Sequence, residues 1–174
     1  MTSPSVSPSA GSSQGWFSYP IRVQPHHTDY GGIVWHGTYI TWLEAARVEA
    51  LAAVGIEFAD LVAMGVDLPV VDLSLRYHRS LRLGDRAIVY ARLLPTKGVR
   101  LVWDYAIEPP DNRPPHGGEN TAGNKAGPVS VTKGGSDRCY VTGQVTLAAI
   151  DPKRGKVLRR YPPIFTEALE KLRA

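Results

Sequence analysis

The stretch that decides the fold spans residues 38–54 and reads TYITWLEAARVEALAAV. Its apolar side chains recur at the spacing of one helical face, at Tyr39, Trp42, Leu43, Ala46, Ala50 and Ala53. Thr38 is a favourable N-cap residue, and Gly55 supplies a stop at the other end. Because the stretch holds only three charged residues, it predicts one long helix that is mostly buried.

Downstream of this helix, the sequence predicts a sheet of consecutive strands. A short helix comes first, over residues 57–64. The apolar spacing then changes to every second residue, over 71–78, 87–94, 99–108 and 139–149. No helical pattern separates these four runs, which favours antiparallel pairing. One earlier strand is predicted over residues 19–23, before Pro25, and a short terminal helix around residues 166–169.

Two segments contribute little to a core, and the rest fits one domain. Residues 1–15 hold six Ser, two Pro and two Gly without a charge, and residues 109–137 hold six Gly and five Pro. We therefore expect a disordered tail over 1–15 and a single domain over 16–174, interrupted by a flexible loop insertion over 109–137. The 130 residues outside both segments are too few for a two-domain Rossmann enzyme or a (β/α)8 barrel.

The positive charge of the chain is concentrated at one end. Residues 151–174 hold seven Lys or Arg against three acids, which accounts for the whole net charge of +4. This basic end suits either a solvated surface or an anionic partner such as a phosphate-bearing ligand. It lacks the interleaved aromatic residues of a nucleic-acid interface, so no nucleic-acid partner is expected.

Cysteine content and hydropathy narrow the cellular setting. Cys139 is the single cysteine, which excludes an internal disulfide and a Cys-based zinc cluster and indicates a reducing, cytoplasmic setting. No run of 18 apolar residues is present, and the first residues lack the charged and apolar regions of a secretory signal. We therefore expect no membrane partner.

The loop that leads into the helix has the densest set of reactive residue types, HHTDYGGIVWHGTY over residues 26–39. Gly31 and Gly32 allow positive φ angles or a close approach of the backbone to a ligand. The start of a helix presents unsatisfied N–H groups, so Asp29 could act on a carbonyl whose oxygen those groups hold. The same residues fit a turn capped by Asp29, and chemistry alone leaves both interpretations open. A metal site of His26, His27 and Asp29 is a weaker interpretation, and we expect no metal and no cofactor.

Residues 29–47, DYGGIVWHGTYITWLEAAR, resemble the signature of the 4-hydroxybenzoyl-CoA thioesterase family of hotdog-fold acyl-CoA thioesterases. The shared pattern is an Asp, a Gly two or three residues on, an apolar pair, an aromatic residue, then His or Tyr. A helix containing aromatic-x-Glu-x-x-Arg follows. The similarity continues through residues 75–77 (LRY) and 83–85 (LGD) to residues 160–162 (RYP).

The resemblance implies an α+β hotdog fold, in which a five-stranded antiparallel sheet wraps around one long helix. It also implies an acyl-CoA substrate and a homodimer or homotetramer with the active site at the subunit interface. Asp29 matches the catalytic carboxylate, and the backbone N–H of His36 matches the donor that polarises the thioester carbonyl. Such a site needs no metal. Whether Asp29 attacks directly or activates water stays open, as does the choice between dimer and tetramer.

Two positions depart from the family pattern. Several relatives carry a Tyr four residues before the Asp, where this chain has Pro25, and the position two before it is often acidic, where this chain has His27. The insertion at 109–137 is also longer than the usual hairpin of the fold. These differences leave the acyl group of the substrate open.

Candidate substrate contacts begin with Gly31, Gly32 and Trp35, which lie next to Asp29. Like Trp42, Trp35 fits core or dimer packing, although its closeness to Asp29 also suits it to line the pocket. Three arginines near the first predicted strand after the helix are further candidates: Arg76, Arg79 and Arg82. Each could contact the phosphates of CoA, and each equally fits a solvated strand edge.

Two charged residues of the helix are further candidates. Glu44 and Arg47 lie three residues apart, where a surface or interface ion pair is the simplest interpretation. Glu44 is also a candidate for substrate contact and a reserve catalytic carboxylate, because other hotdog thioesterases use a carboxylate on the helix.

The sequence thus predicts a single-domain hotdog enzyme that hydrolyses an acyl-CoA thioester. One alternative is a hotdog dehydratase acting on 3-hydroxyacyl thioesters, which would need a catalytic His in a different local motif. Another is a non-catalytic acyl-CoA binding protein that keeps the pocket and does no chemistry.

Overall fold

The computed structural model describes residues 15–95, 98–110 and 138–173. In chain order, its helices and strands are β1 (Phe17–Arg22), a 3₁₀ turn (Pro25–His27), α1 (His36–Ala53), α2 (Phe58–Ala63), β2 (Val70–Tyr77), β3 (Arg86–Leu93), β4 (Arg100–Glu108), β5 (Val141–Ala148), β6 (Ile150–Asp151), β7 (Lys156–Val157) and α3 (Pro163–Arg173).

The main sheet has five antiparallel strands, as predicted, and the structure places them in the order β1-β3-β4-β5-β2. β4 pairs with β5, so the long insertion joins two neighbouring strands. Residues 111–137 of that insertion and residues 1–14 of the tail lie outside the described residues, and their flexibility stays a prediction. The hairpin of β6 and β7 was not predicted, because each of its strands is only two residues long.

Helix α1 packs against the β1 and β3 side of the sheet. Five of its six predicted face residues are buried, Tyr39, Trp42, Leu43, Ala46 and Ala50, whereas Ala53 at the end of the helix is exposed. The helix ends at Ala53, and Gly55 has the positive φ of +88° expected of a glycine stop.

The predicted N-cap of α1 is wrong by three residues. The N-cap position is Trp35, and no side chain caps the helix there. Thr38, the predicted N-cap, lies inside the first turn, and its hydroxyl donates to the carbonyl of His27 at 3.1 Å. The shift arises because the carbonyl of Trp35 already accepts the Thr38 N–H at 2.9 Å, so the backbone closes the first turn.

The predicted apolar rows of β3 and β4 are buried, and in β5 three of the predicted residues are buried, Val141, Val145 and Leu147, although burial does not alternate strictly there. Gly143 in β5 keeps one of these rows closely packed, because the Leu75 side chain and the Ser74 carbonyl occupy the place where a Cβ would stand. In β2, however, most of the apolar face is uncovered, with Val71 52%, Leu73 39% and Tyr77 48% exposed. The reason is that β2 is an edge strand, whereas α1 packs mainly on β1 and β3, near the other edge of the sheet.

The predicted terminal helix is present and longer than expected. α3 buries Phe165, Ala168 and Leu169 and packs on β3. No helix within the described ranges is both long and apolar enough to cross a membrane.

Candidate active site

The chain enters α1 through a tight hairpin whose tip carries Asp29. The Asp29 N–H donates to the Ile33 carbonyl at 2.9 Å, and the Gly32 N–H donates to the Asp29 carbonyl at 3.0 Å. Gly32 has a φ of +72°, a conformation that strongly favours glycine. The sequence prediction that a glycine here permits a positive φ is therefore confirmed for Gly32.

The Asp29 side chain both caps this hairpin and keeps a free oxygen. Its Oδ1 accepts the N–H groups of Gly31 at 2.9 Å and Ile33 at 3.2 Å. No hydrogen bond found within the described ranges uses Oδ2, and the residue is exposed. The capping role and a chemical role are therefore compatible, because they use different oxygens of one carboxylate.

The hairpin is held in place from two sides. The Val34 N–H donates to the Leu81 carbonyl at 3.0 Å, and the Leu83 N–H donates to the Gly32 carbonyl at 3.1 Å. These two bonds join the hairpin to the turn between β2 and β3. The Trp35 N–H donates to His27 at 3.0 Å, which ties the end of the hairpin to the 3₁₀ turn. Asp29 thus stands on a backbone that is fixed relative to the start of α1.

The first turn of α1 presents open donors. His36 is the first helical residue, and neither its N–H nor that of Gly37 donates a hydrogen bond to any residue that the structure describes. Unsatisfied N–H groups and the positive end of the helix dipole make this position attractive to a negative charge. The predicted oxyanion donor therefore has the free N–H that its role requires.

The Trp35 ring covers the backbone of Gly37. A Cβ at position 37 would overlap the six-membered part of the Trp35 ring, so only glycine fits beneath it. Trp35 is 55% exposed, which does not fit the core-packing interpretation. Trp42, in contrast, is 5% exposed and belongs to the core.

Two cavities flank the start of the helix. The smaller, of about 250 Å³, is lined by Val34, His36, Tyr39, Tyr77, His78, Arg79 and Ser80. The larger, of about 540 Å³, is lined by Tyr19, Pro20, Ile21, Arg22, His26, His27, Trp35, Thr38, Thr41, Trp42 and Ala45. Because His36 lines one and Trp35 lines the other, the free N–H groups stand between them.

A tyrosine pair that the sequence did not indicate connects β2 to the helix start. The Tyr77 hydroxyl donates to the His36 carbonyl at 3.2 Å, and the Tyr39 hydroxyl accepts the Leu81 N–H at 3.2 Å. The two rings meet edge to face with centroids 5.4 Å apart. Burial raises the pKa of the Tyr39 hydroxyl, which keeps it neutral. Tyr77 and His36 are 41 residues apart, so local patterns carried no signal of their contact.

The adjacent histidines form a packed pair. The Nδ1 of His27 accepts the Gln24 N–H at 3.0 Å, and its ring packs edge-on against Trp42 at 5.1 Å. Burial, with a smaller contribution from His26, lowers the pKa of His27 and favours the neutral imidazole. In the described ranges, no three His, Cys, Asp or Glu side chains group as metal ligands, so the His26, His27 and Asp29 site is not assembled.

The predicted ion pair of Glu44 and Arg47 is present, but its arginine is buried instead of lying at the surface. Arg47 is 8% exposed, and its Nη1 donates to the Tyr105 hydroxyl at 3.2 Å, whereas Glu44 lies 3.8 Å away with a largely exposed side chain. The long arginine reaches inward along α1 to the buried face of β4. Burial raises the pKa of Tyr105 to about 12, so its hydroxyl stays protonated. Glu44 lines neither cavity.

The three candidate arginines separate in space. Arg79 lines the smaller cavity, and its guanidinium lies 5.2 Å from the centre of the Tyr140 ring. Arg76, on β2, and Arg82, in the turn before β3, are exposed and line neither cavity.

Comparison with known proteins identifies the family. A family model described as "Thioesterase superfamily" matches residues 31–115. Over 158 residues the chain is 49% identical to a Synechocystis protein named "Putative esterase sll0410", covering 91% of this chain and 81% of that protein. The chain belongs to the thioesterase superfamily. The predicted resemblance is confirmed, and the protein is a thioester hydrolase with a hotdog fold.

Three further similar proteins are named as CoA thioesterases. "Putative acyl-CoA thioesterase YneP" of Bacillus subtilis is 33% identical over 90 residues, which cover 52% of this chain and 65% of that protein. A solved DHNA-CoA thioesterase from Staphylococcus aureus has a TM-score of 0.68 and 25% identity, with 90% of each chain covered. Slr0204 of Synechocystis, a 1,4-dihydroxy-2-naphthoyl-CoA thioesterase, has a TM-score of 0.70 at 18% identity, covering 91% of this chain and 98% of that one. At that identity the likeness concerns the fold alone.

Proposed function

We propose that this enzyme hydrolyses an acyl-CoA thioester, with Asp29 as the catalytic carboxylate and the His36 N–H as the oxyanion donor. The observation that carries the proposal is the free Oδ2 of Asp29 on a rigid hairpin that leads directly into unpartnered helix N–H groups. The acyl-CoA thioesterase named among the relatives gives further support.

The geometry supports a two-part mechanism. The thioester carbonyl oxygen accepts the His36 N–H, which stabilises the negative charge that develops on that oxygen. Asp29 then either attacks the carbonyl carbon to form a mixed anhydride, which water hydrolyses, or takes a proton from the attacking water. The C–S bond breaks in either route, and the products are a carboxylic acid and the CoA thiol.

The smaller cavity suits the CoA side of the substrate. Arg79 and two imidazoles, those of His36 and His78, line it beside the helix start. Cationic and N–H donors of this kind recognise phosphate groups. We therefore assign Arg79 to the CoA phosphates in preference to Arg76.

Activity itself is tested by a hydrolysis screen over aryl- and alkyl-CoA thioesters that follows released thiol. We expect turnover of at least one ester by the wild-type protein without an added metal ion. The matched control is the same panel of esters incubated without enzyme, which measures spontaneous hydrolysis. Binding of acyl-CoA without thiol release from any ester would favour the non-catalytic alternative.

We further propose that two copies join through β2. β2 pairs with β5 on one side only, and its exposed apolar side chains make it an unprotected edge. The other edge strand, β1, carries Pro20, which has no N–H to offer a second chain. Because Tyr77 of β2 also contacts His36, a partner on this edge would complete the wall of the smaller cavity.

Light scattering tests this assembly. We expect a dimer or tetramer for the wild-type protein, and a monomer with reduced turnover for Leu73→Lys, because a charge on the joined face would be buried without a partner. Ile164→Lys is the control, since Ile164 is an exposed apolar residue of α3, away from β2. A monomeric wild-type protein that hydrolyses thioesters would contradict the proposal.

A further inference from the structure

We infer that the acyl group of the substrate lies in the cleft between β1 and the first turns of α1, and that Ala45 limits how far the group extends. This inference rests on the proposed function, because it takes the thioester carbonyl to lie at the His36 N–H. The cleft is the larger of the two cavities described above.

The cleft begins where the carbonyl would be held. Trp35, at its mouth, directly precedes His36, and Thr38 follows within the same turn. At a rise of 1.5 Å per residue, the nine steps from His36 to Ala45 span about 14 Å along the helix. An acyl group attached to a carbonyl at the helix start can therefore run along the cleft to Ala45.

The walls suit the body of an acyl group better than a CoA nucleotide. Three aromatic side chains line the cleft, those of Tyr19, Trp35 and Trp42, and most of its lining surface is apolar, although Arg22, His26 and His27 also reach it. A volume of about 540 Å³ lies within the range of ordinary small-molecule sites. The cavity on the other side of the helix start also holds one arginine and two histidines, but it is smaller and its lining is more polar, which suits CoA. A thioester lying across the helix start would thus place its two halves in different cavities.

The wall beside the carbonyl is held firmly. The Trp35 backbone donates to the His27 carbonyl, and the Trp35 ring rests on Gly37. The Thr38 hydroxyl also donates to the His27 carbonyl at 3.1 Å, so both sides of the mouth are tied to the 3₁₀ turn. A mouth of fixed shape can discriminate between acyl groups by size.

Ala45 is the residue of α1 in the cleft lining that lies farthest along the helix from His36. It follows Thr38 by seven residues and Thr41 by four, so the three share one helical face. Ala45 is half-buried and has the smallest side chain on this face. A larger residue at position 45 would shorten the cleft without touching the helix start.

The test compares Ala45→Leu with Ala53→Leu. Both variants place the same side chain on α1, but Ala53 is exposed and lies outside the cleft. For each protein, kcat/KM is measured with octanoyl-CoA, benzoyl-CoA and acetyl-CoA. We take the larger of the two kcat/KM values for octanoyl-CoA and benzoyl-CoA and divide it by the value for acetyl-CoA. We expect Ala45→Leu to lower this ratio by about tenfold or more, as for other apolar pockets of the wrong size. Ala53→Leu should leave this ratio unchanged.

A second variant and a binding measurement complete the test. Thr41→Leu narrows the same cleft and should lower the same ratio, which provides a result if Ala45→Leu does not fold. Binding is measured by calorimetry in the Asp29→Asn protein, which should not turn the esters over, with and without the additional Ala45→Leu change. The additional change should weaken octanoyl-CoA or benzoyl-CoA binding more than acetyl-CoA binding. Turnover with an unchanged ratio in both cleft variants would overturn this inference alone. The absence of both turnover and binding for every ester would overturn the proposed function as well.

Discussion

Asp29→Asn is expected to lower turnover by roughly 10² to 10⁴, the range for loss of a catalytic base or nucleophile. The change removes the charge and keeps the shape. Asparagine retains a side-chain oxygen that can accept the N–H groups of Gly31 and Ile33, as Oδ1 does now. The hairpin should therefore persist while the reactive oxygen is lost. Thiol release under saturating substrate measures the effect.

The control for Asp29→Asn is Asp151→Asn. Oδ1 of Asp151 also caps a turn, where it accepts the N–H groups of Lys153 at 2.9 Å and Arg154 at 3.2 Å, and Asp151 lines neither cavity. If turn capping were all that Asp29 did, the two variants would lose similar stability and neither would lose much turnover. Full turnover by Asp29→Asn would make Glu44 the leading carboxylate, although that side chain is 65% exposed and lines neither cavity.

His36→Pro is expected to lower turnover by about 10² or more, because it removes one oxyanion donor. His36 is the first residue of α1, where proline is well tolerated in helices. Trp35, the residue before it, has φ −63° and ψ 138°, which lies in the extended region that a residue before proline favours. The substitution should therefore remove the N–H without disturbing the helix. Thiol release measures the loss, and circular dichroism confirms that α1 is intact.

His36→Ala is the matched control for the backbone role. Alanine keeps the N–H and also keeps the carbonyl that accepts the Tyr77 hydroxyl. The turnover of His36→Ala should therefore stay close to that of the wild-type protein, and well above that of His36→Pro. If the two variants were equally impaired, the imidazole would have a role of its own, since it lines the smaller cavity.

The local periodicity of the sequence was sufficient to predict the three helices and the five strands of the main sheet, but not the short strands β6 and β7. The change in apolar spacing after residue 65 predicted β2 to β5, and the pattern of α1 predicted its buried face. These features depend on neighbours within one turn or one strand, so the sequence records them directly. The start of α1 was missed because Thr38 is a good cap in isolation, whereas its hydroxyl donates to His27, 11 residues away.

The sequence by itself determined the residue types of the site: a carboxylate, two glycines and a predicted helix start within ten residues of one another. The tertiary structure decided which atoms of these residues are free. It commits Oδ1 of Asp29 to the hairpin and leaves Oδ2 open, it buries Arg47 against Tyr105, and it separates Arg79 from Arg76. It also forms a cavity on each side of the helix start, from strands β1 and β2 at opposite edges of the sheet. Such contacts join residues far apart in the chain, and their geometry depends on packing that no local pattern encodes.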